Sequence, residues 1–270
     1  MTDRVVMLLA APLQAWGGPA PGIYERPTET MPSLSGVVGI IANALGRRRA
    51  EPIGDIAAGA ELAVRADRPG RLLCDFHTVG TPGRYALAVD TGKQLRNPVI
   101  TDRFYLSDAA FLAVYTPPPD GLSATDILQA LANPARPLYL GRRSCPPAER
   151  VAVTTAHGSQ TPEAILSTAK LLRRPPRAAA RALSDADFYE AADDNGEPSV
   201  TALVEMSAPT GSDPLRASIR KDAPETFDPR RLYHLDRRIV TKTLRFPVTA
   251  CAGQGREAIG ALYDSLGAAP

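Results

Sequence analysis

Two short segments combine residue types that could bind nucleic acid. Residues 140–147 read Leu-Gly-Arg-Arg-Ser-Cys-Pro-Pro, so a glycine that permits close backbone approach precedes two adjacent cations and a hydroxyl. Residues 103–106 place Arg103 beside Phe104 and Tyr105, a composition that can neutralise phosphate and stack nucleobases. Each segment also has a structural interpretation, as a solvated sheet edge for Arg142 and Arg143 and as a packed hairpin stem for 103–106.

The start of the first predicted helix is a further candidate for phosphate binding. Ser33-Leu34-Ser35-Gly36 precedes an apolar run, and the free backbone N–H groups of a helix N-terminus attract anions. The same serines can act only as helix caps. The sequence leaves both roles open.

The titratable residues form no recognisable catalytic or metal-binding set. The three histidines, His77, His157 and His234, do not accompany an acid and a nucleophile in a known signature. The three cysteines lack Cys-x-x-Cys or Cys/His spacing, so we predict no disulfide framework, no zinc site and no cofactor. We therefore expect no enzyme activity, although a histidine near a tyrosine or a lysine could cleave RNA without a metal ion.

The composition is that of a globular chain with a hydrophobic core. Its 270 residues are 44% hydrophobic and 22% charged, which excludes disordered, collagen-like and coiled-coil classes. No apolar run reaches the roughly 18 residues of a membrane span, and the apolar stretch at 5–11 lacks a signal-peptide cleavage site. We expect a cytoplasmic chain with no membrane contact. The net charge of +2 does not indicate a polyanionic partner, but residues 214–245 hold nine basic residues against four acidic ones.

Hydrophobic periodicity predicts the elements that position these residues. Up to residue 150 they are strand 5–11, helix 37–45, strands 61–66 and 72–79 joined as a hairpin or as a continuation, strand 109–115, helix 124–132 and strand 138–140. This order is the ferredoxin-like order, shared by the RRM, whose sheet face can carry RNA. Beyond residue 150 the pattern predicts a helix at 161–172, strands of a small second sheet at 200–206, 215–221 and 233–246, and a helix at 258–266.

The predicted fold is therefore α+β. A ferredoxin-like (RRM-like) palm spans residues 1–150, with a projecting thumb hairpin at about 80–104. A small, mostly-β region follows at 151–246, and a C-terminal tail with a short helix occupies 247–270.

Five blocks along the chain resemble the Cas-five family of CRISPR-associated proteins, in its CasD-type branch of type I-E Cascade complexes. The blocks are 11–17 (APLQAWG), 26–39 (including RPT and PSLSGVVG), 75–79 (DFHTV), 103–111 (RFYLSDAAF) and 140–146 (LGRRSCP). The resemblance extends to about residue 245 and is densest before residue 150. It implies a ferredoxin-like palm with a long thumb.

The resemblance also implies partners and a function in antiviral defence. The expected partners are the 5′ handle of the crRNA, the Cascade backbone subunit and the large PAM-reading subunit, with target DNA reached only through the complex. The subunit would cap the handle without catalysis. Because Cas-five proteins of another subtype cut RNA, the alternative is a metal-independent endoribonuclease that processes CRISPR repeat RNA, with His77 and either Tyr85 or Lys93 as candidates.

The resemblance assigns RNA-binding roles to particular residues. Arg103 and Tyr105 would lie where the thumb meets the RNA. Handle phosphates would be held by Arg26, Ser33, Ser35 and Gly36. The palm would be lined by Gln14, Trp16, His77, Arg142, Arg143 and Ser144. Arg84, Lys93 and Arg96 of the thumb tip are expected to contact RNA on charge alone.

Overall fold

The computed structural model describes residues 3–18, 24–79, 99–173, 191–192, 198–208, 217–228, 230, 233–247, 250–253 and 255–268. The fold is mixed α/β and is dominated by an antiparallel sheet. The strands are β1 (Arg4–Gln14), β2 (Glu25–Arg26), β3 (Glu61–Arg68), β4 (Arg71–Val79), β5 (Val99–Thr116), β6 (Ala152–Ala156), β7 (Ala191–Ala192), β8 (Pro198–Ser207), β9 (Ser218–Thr226) and β10 (Tyr233–Pro247). The helices are α1 (Leu34–Ala44), α2 (Gly54–Ala57), α3 (Ala124–Ala132), α4 (Pro162–Thr168) and α5 (Arg256–Ser265).

One continuous sheet joins the two halves of the chain. Its strand order is β6-β1-β5-β3-β8-β10-β9, while β2 and β4 pair with β5 and β7 pairs with β8. The junction is the antiparallel pairing of β3 with β8, in register Ala63↔Met206. The prediction of a separate second sheet is therefore wrong. Alternating hydrophobicity reports which face of a strand is buried, but it does not report which strand lies beside it.

Helices cover both faces of the central strands. Val5, Met7 and Leu9 of β1 pack on the side of α1 and α3, whereas Val6 and Leu8 pack with residues of α4 and α5. The uninterrupted apolar run of β1 is the pattern of a strand buried on both faces. Because α4 and α5 lie over the second face, this face of the sheet is not open to RNA as the sheet face of an RRM is.

The predicted helices form where their caps lie. Ser33 has extended backbone angles, and its hydroxyl accepts the N–H of Gly36 at 3.1 Å, which begins α1. Ser123 begins α3 in the same way through Asp126 N–H, and Thr161 begins α4 through Ala164 N–H. The predicted helix at 124–132 is confirmed, whereas α1 begins at Leu34, three residues before the predicted start, and α4 covers only Pro162–Thr168 of the predicted 161–172.

Of the two predicted connections between strands 61–66 and 72–79, the continuation is confirmed and the hairpin is wrong, because β3 and β4 follow one another along the same side of β5. The predicted last strand of the palm is also wrong. Residues 138–140 are not a strand. Leu140 instead donates its N–H to the Cys145 carbonyl and accepts the N–H of Ala15, so this segment is a loop fixed against the end of β1. The edge strand beside β1 is β6.

The first half of β5 pairs with β4 from Val79↔Val99 to Arg71↔Ser107. We call this pair the hairpin. Its connecting residues 80–98, with the predicted site residues Arg84, Lys93 and Arg96, lie outside the described residues. Within the described residues, no helix has the length and apolarity needed to cross a membrane.

Candidate nucleic-acid interface

Predicted site residues from three distant segments converge at the base of the hairpin. β2 lies parallel to β5, so that Arg26 is the neighbour of Arg103. Arg142, from the loop after α3, donates to the Phe104 carbonyl at 3.0 Å and to the Arg26 carbonyl at 2.6 Å. We call this convergence the hairpin-root cluster, which comprises Arg26, Arg103, Tyr105, Arg142, Arg143 and Ser144.

Arg142 acts as a clamp within this cluster. Besides its bonds to the carbonyls of Phe104 and Arg26, it lies 3.3 Å from the Pro27 carbonyl, and its guanidinium stacks 4.7 Å from the centre of the Tyr105 ring. The Tyr105 ring is buried, and its hydroxyl lies 3.3 Å from that of Ser144. Arg142 therefore fixes β2 and the ring in place, whereas the adjacent Arg143 is exposed.

Arg103 carries an unpartnered donor. Its side chain is half-buried, and its Nε is buried without a hydrogen-bond partner. Buried polar groups are nearly always paired, so an orphan N–H of this kind calls for an acceptor. A phosphate oxygen is the acceptor that a guanidinium binds best. Arg26 is exposed beside it.

His77 lies farther out along the hairpin than the cluster. It faces Thr101 across the β4–β5 pair, two positions beyond Asp75, which faces Arg103. Its Nδ1 is 4.0 Å from a carboxylate oxygen of Asp75, and the side chain is 41% exposed. The histidine is accessible and has an acidic neighbour, but Tyr85 and Lys93 lie outside the described residues.

Gln14 and Trp16 lie beneath the cluster and not on its surface. Gln14 is fully buried, and its Nε2 donates to the carbonyls of Leu9 and Ala109 at 3.1 and 2.8 Å. Its Oε1 accepts the indole N–H of Trp16 at 3.0 Å, and Trp16 is only 2% exposed. The expectation that both line an RNA-binding surface does not agree with this burial. They position the end of β1, to which the 140–147 loop is hydrogen-bonded.

The predicted phosphate site at the N-terminus of α1 is already filled. The N–H of Leu34 donates to the carboxylate of Asp222 at 2.9 Å, and the buried Ser33 hydroxyl binds the Trp16 carbonyl at 3.1 Å besides capping Gly36. The helix end attracts an anion as expected, but the anion is a side chain of β9. The half-buried Ser35 lies 3.3 Å from Ser33, hydroxyl to hydroxyl.

Gly36 has a packing role. A Cβ at this position would lie 2.9 Å from Cε3 of the buried Trp16 ring and 3.0 Å from the Ser33 hydroxyl. Only glycine allows the helix to approach the indole this closely. Gly36, Ser33 and Trp16 therefore form one packed unit, which supports the cluster without reaching it.

A buried charge network holds Asp222 in place, and sequence analysis did not find it. Arg237 donates to both Asp222 oxygens at 2.8 Å, and Arg220 donates to Glu205 at 2.6 Å. Part of the positive charge concentrated in 214–245 is thus used inside the protein. The excess of charge was a visible signal, but the partners are set by the register of β8, β9 and β10.

The hairpin also presents an apolar face that the sequence analysis missed. Leu72 and Phe76 are 64% and 65% exposed and project from one face of β4, and Ile100, which faces Thr78 across the pair, is 49% exposed. Clustered exposed apolar side chains of this size mark an interaction surface. The period-two alternation of Leu72, Cys74 and Phe76 was the available signal.

Comparison with known proteins identifies the class to which a chain with this fold and these basic residues belongs. Residues 5–239 match the family described as CRISPR-associated protein (Cas_Cas5), and the chain belongs to this family. Over 181 aligned residues it is 31% identical to the CRISPR system Cascade subunit CasD of Escherichia coli (strain K12). The aligned region covers 62% of this chain and 77% of that protein.

Two solved structures resemble the whole chain. A chain of a CRISPR RNA-guided surveillance complex matches with a TM-score of 0.74 and 27% identity, over 98% of this chain and 99% of that chain. A Cas protein crystal structure matches with a TM-score of 0.58 and 26% identity, over 93% and 98% of the two chains. The similarity therefore includes the C-terminal strands as well as the hairpin-bearing half.

Proposed function

We propose that this chain is a non-catalytic RNA-binding subunit of a type I-E CRISPR Cascade surveillance complex. It caps the 5′ handle of the crRNA, contacts the backbone subunit and the large PAM-reading subunit, and serves antiviral defence. The observation that carries the proposal is the convergence of Arg26, Arg103 and the Arg142–Ser144 loop at the hairpin root of a chain that is similar to CasD.

The cluster suits single-stranded RNA with a bent backbone. Arg26 and Arg143 are exposed cations, and Arg103, the neighbour of Arg26 across the β2–β5 pair, has a buried N–H without a partner. Splayed RNA is recognised by such cations at phosphates and by stacking on planar groups. Arg142 and Tyr105 keep this arrangement rigid. We also include Arg84, Lys93 and Arg96 in the proposed RNA-binding surface, on the basis of their positive charge alone.

Strand order supports a ferredoxin-like palm. β6, β1, β5 and β3 are neighbours in that order, all antiparallel, with α1 following β1 and α3 following β5. This is the arrangement of a β-α-β-β-α-β unit. The hairpin then corresponds to the thumb, and its apolar face at Leu72, Phe76 and Ile100 is the surface proposed for the backbone subunit.

Reconstitution tests the proposal. The tagged chain is co-expressed with its complex partners and a CRISPR array, and the purified particle is analysed for bound RNA. We expect a multi-subunit particle with a uniform crRNA, and weaker crRNA retention in Arg103→Ala and Arg143→Ala without loss of subunit folding. Lys242→Ala, which removes an exposed ion pair with Glu163, is the control and should behave as the parent.

The result that would contradict the assignment is equally specific. If particles carrying Arg103→Ala and Arg143→Ala retain crRNA as the parent does at every salt concentration, the hairpin root does not hold the handle. A phosphate contact must weaken as salt rises, because binding releases condensed counterions.

The alternative function, endonucleolytic processing of repeat RNA, is favoured by one observation. The accessible His77 lies 4.0 Å from a carboxylate oxygen of Asp75, so an imidazole and an acidic side chain, both able to transfer protons, are neighbours on the hairpin. Incubation of the purified chain with repeat RNA in EDTA separates the two functions. Discrete products that disappear in His77→Ala would establish the nuclease and exclude the non-catalytic role.

A further inference from the structure

The pairing of β5 is interrupted at Asp108, at a point that we call the bend. On one side, β5 changes its partner here from β3, which ends at Arg68↔Ala110, to β4, which begins at Arg71↔Ser107. On the other side, the β1 register passes from Ala11↔Ala109 to Leu13↔Ser107, so Pro12, which has no N–H, lies level with Asp108. The ladder is thus interrupted on both sides of one residue.

The backbone at this point is unusual. Asp108 has φ +55°, and it is the only non-glycine among the described residues with a positive φ. Aspartate tolerates this left-handed conformation better than most residue types. Gly70 lies against the bend with φ +77°, and a Cβ there would be 2.7 Å from the Ser107 carbonyl. A left-handed residue inside a strand re-aims the chain that follows it.

One side chain ties the bend to the rest of the molecule. The guanidinium of Arg68 donates to the Asp108 carbonyl at 3.2 Å, to the Asp108 carboxylate at 3.4 Å and to the Leu172 carbonyl at 3.2 Å. A cavity of about 330 Å³ borders the bend, with Arg68, Ser107 and Asp108 in its wall. On the side of this cavity few side chains pack against Asp108, so the Arg68 hydrogen bonds are the contacts that hold the bend there.

We propose that Arg68 and Asp108 are positioning residues that fix the angle between the hairpin and the sheet. Arg103 lies five positions before the bend on β5 and is paired with Arg26 of β2, so this angle decides where the two arginines together lie relative to Arg143 and to the sheet. The effect of this angle on RNA binding rests on the proposed function, whereas the effect of Arg68 and Asp108 on the angle does not. Neither residue needs to touch RNA.

Distance measurements on the full-length chain test the angle. Spin labels are placed at the exposed positions Thr78 of β4 and Gln129 of α3 through Thr78→Cys and Gln129→Cys, in a background of Cys74→Ser and Cys251→Ser. We expect one narrow distance distribution in the parent and a broadened or shifted one in Arg68→Leu. Asp108→Asn keeps the tolerance for positive φ but weakens the ion pair, so it should broaden the distribution less than Asp108→Ala.

Controls keep the outcome interpretable. Lys242→Leu breaks an exposed ion pair with Glu163 that involves neither Arg68 nor Asp108, and it should leave the distribution unchanged. If Arg68→Leu fails to fold, Asp108→Ala and Asp108→Asn carry the test. If the folded Arg68 and Asp108 variants give the same distance distribution as the parent, the inference is wrong.

RNA capture by the assembled complex tests the consequence. We expect Arg68→Leu to lower crRNA retention by about tenfold in particles that still contain the folded subunit. An altered distance with parental retention overturns the link between the angle and RNA. A parent complex that holds no crRNA instead overturns the proposed function, whatever the distance shows.

Discussion

The carboxylate of Asp222 accepts a hydrogen bond from the backbone N–H of Leu34 at 2.9 Å, across 188 positions of the sequence. It places a fixed negative charge at the positive end of α1, where an RNA phosphate was expected. The same carboxylate is held by the guanidinium of Arg237. The C-terminal strands are thereby attached to the first helix of the chain.

Removal of this carboxylate should cost much of the stability. Asp222→Ala leaves Arg237 buried with a weakened counter-charge and the helix without its anion, so we expect a loss of about 3–5 kcal/mol in the free energy of unfolding. Asp222→Asn should lose less, because an amide oxygen still caps Leu34. Urea denaturation measures both. Glu225→Ala, an exposed residue on the same strand, should stay within about 0.5 kcal/mol of the parent, and equal effects at the two positions would contradict the role of Asp222.

A methyl group at Gly36 should destabilise the chain, whereas one at Gly39 should not. Both glycines lie in α1, but the new Cβ would meet the Trp16 ring at 2.9 Å in one case and Phe227 at 3.8 Å in the other. We expect Gly36→Ala to lose about 1–2 kcal/mol through overpacking. Gly39→Ala should gain about 0.5–1 kcal/mol from the helix preference of alanine. Thermal unfolding of the two variants measures these effects. Shifts of the unfolding temperature in the same direction would contradict the packing argument.

Arg142 and Arg143 should separate into a structural and an RNA-binding residue. Arg142→Lys removes the planar fork that reaches three carbonyls and the Tyr105 ring, so we expect a lower unfolding temperature. Arg143→Ala should leave the unfolding temperature unchanged. It should instead reduce the slope of log affinity against log salt by about 0.7, the value for one lost phosphate contact on a single strand. Filter binding of crRNA over a salt series measures the slope.

The opposite pattern would reverse the assignment. If Arg143→Ala destabilises the fold while Arg142→Lys changes only the salt slope, the clamp and the phosphate ligand have been exchanged.

His234 should make stability depend on pH. Burial lowers the pKa of His234 below its ordinary value, and nearby Asp222 opposes this shift only in part. The unfolded chain therefore binds a proton more readily than the folded chain does. The stability contributed by the neutral ring is complete above the unfolded pKa of about 6.5 and is lost as the pH falls through the lower, folded pKa.

Urea denaturation at a series of pH values checks this sign. The advantage of the parent over His234→Gln should shrink between about pH 7.5 and pH 5.5. A difference that stays constant, or that grows on acidification, would show that burial does not depress this pKa.

Sequence patterns located the local elements and most of the hairpin-root cluster. Ser33 was identified as a possible cap because a cap bonds an N–H only three residues away. The Arg103 and Arg142 segments stood out because cations next to aromatic residues, hydroxyls and a glycine have few common uses. Interactions of this range involve residues that are close together in the sequence, so sequence patterns can report them.

The tertiary structure alone decided which of the predicted residues reach the surface. Gln14 and Trp16 are buried, α4 and α5 cover one face of the sheet, and Asp222 binds the N-terminus of α1. These arrangements depend on contacts between residues that are far apart in the chain. The C-terminal strands, which were predicted to form a second sheet, belong to the same sheet as the first half because β8 pairs with β3. The physical reason is the same throughout. Caps and periodicity act over one turn or one strand, whereas burial, strand partners and charge pairs are fixed only when the whole chain packs together.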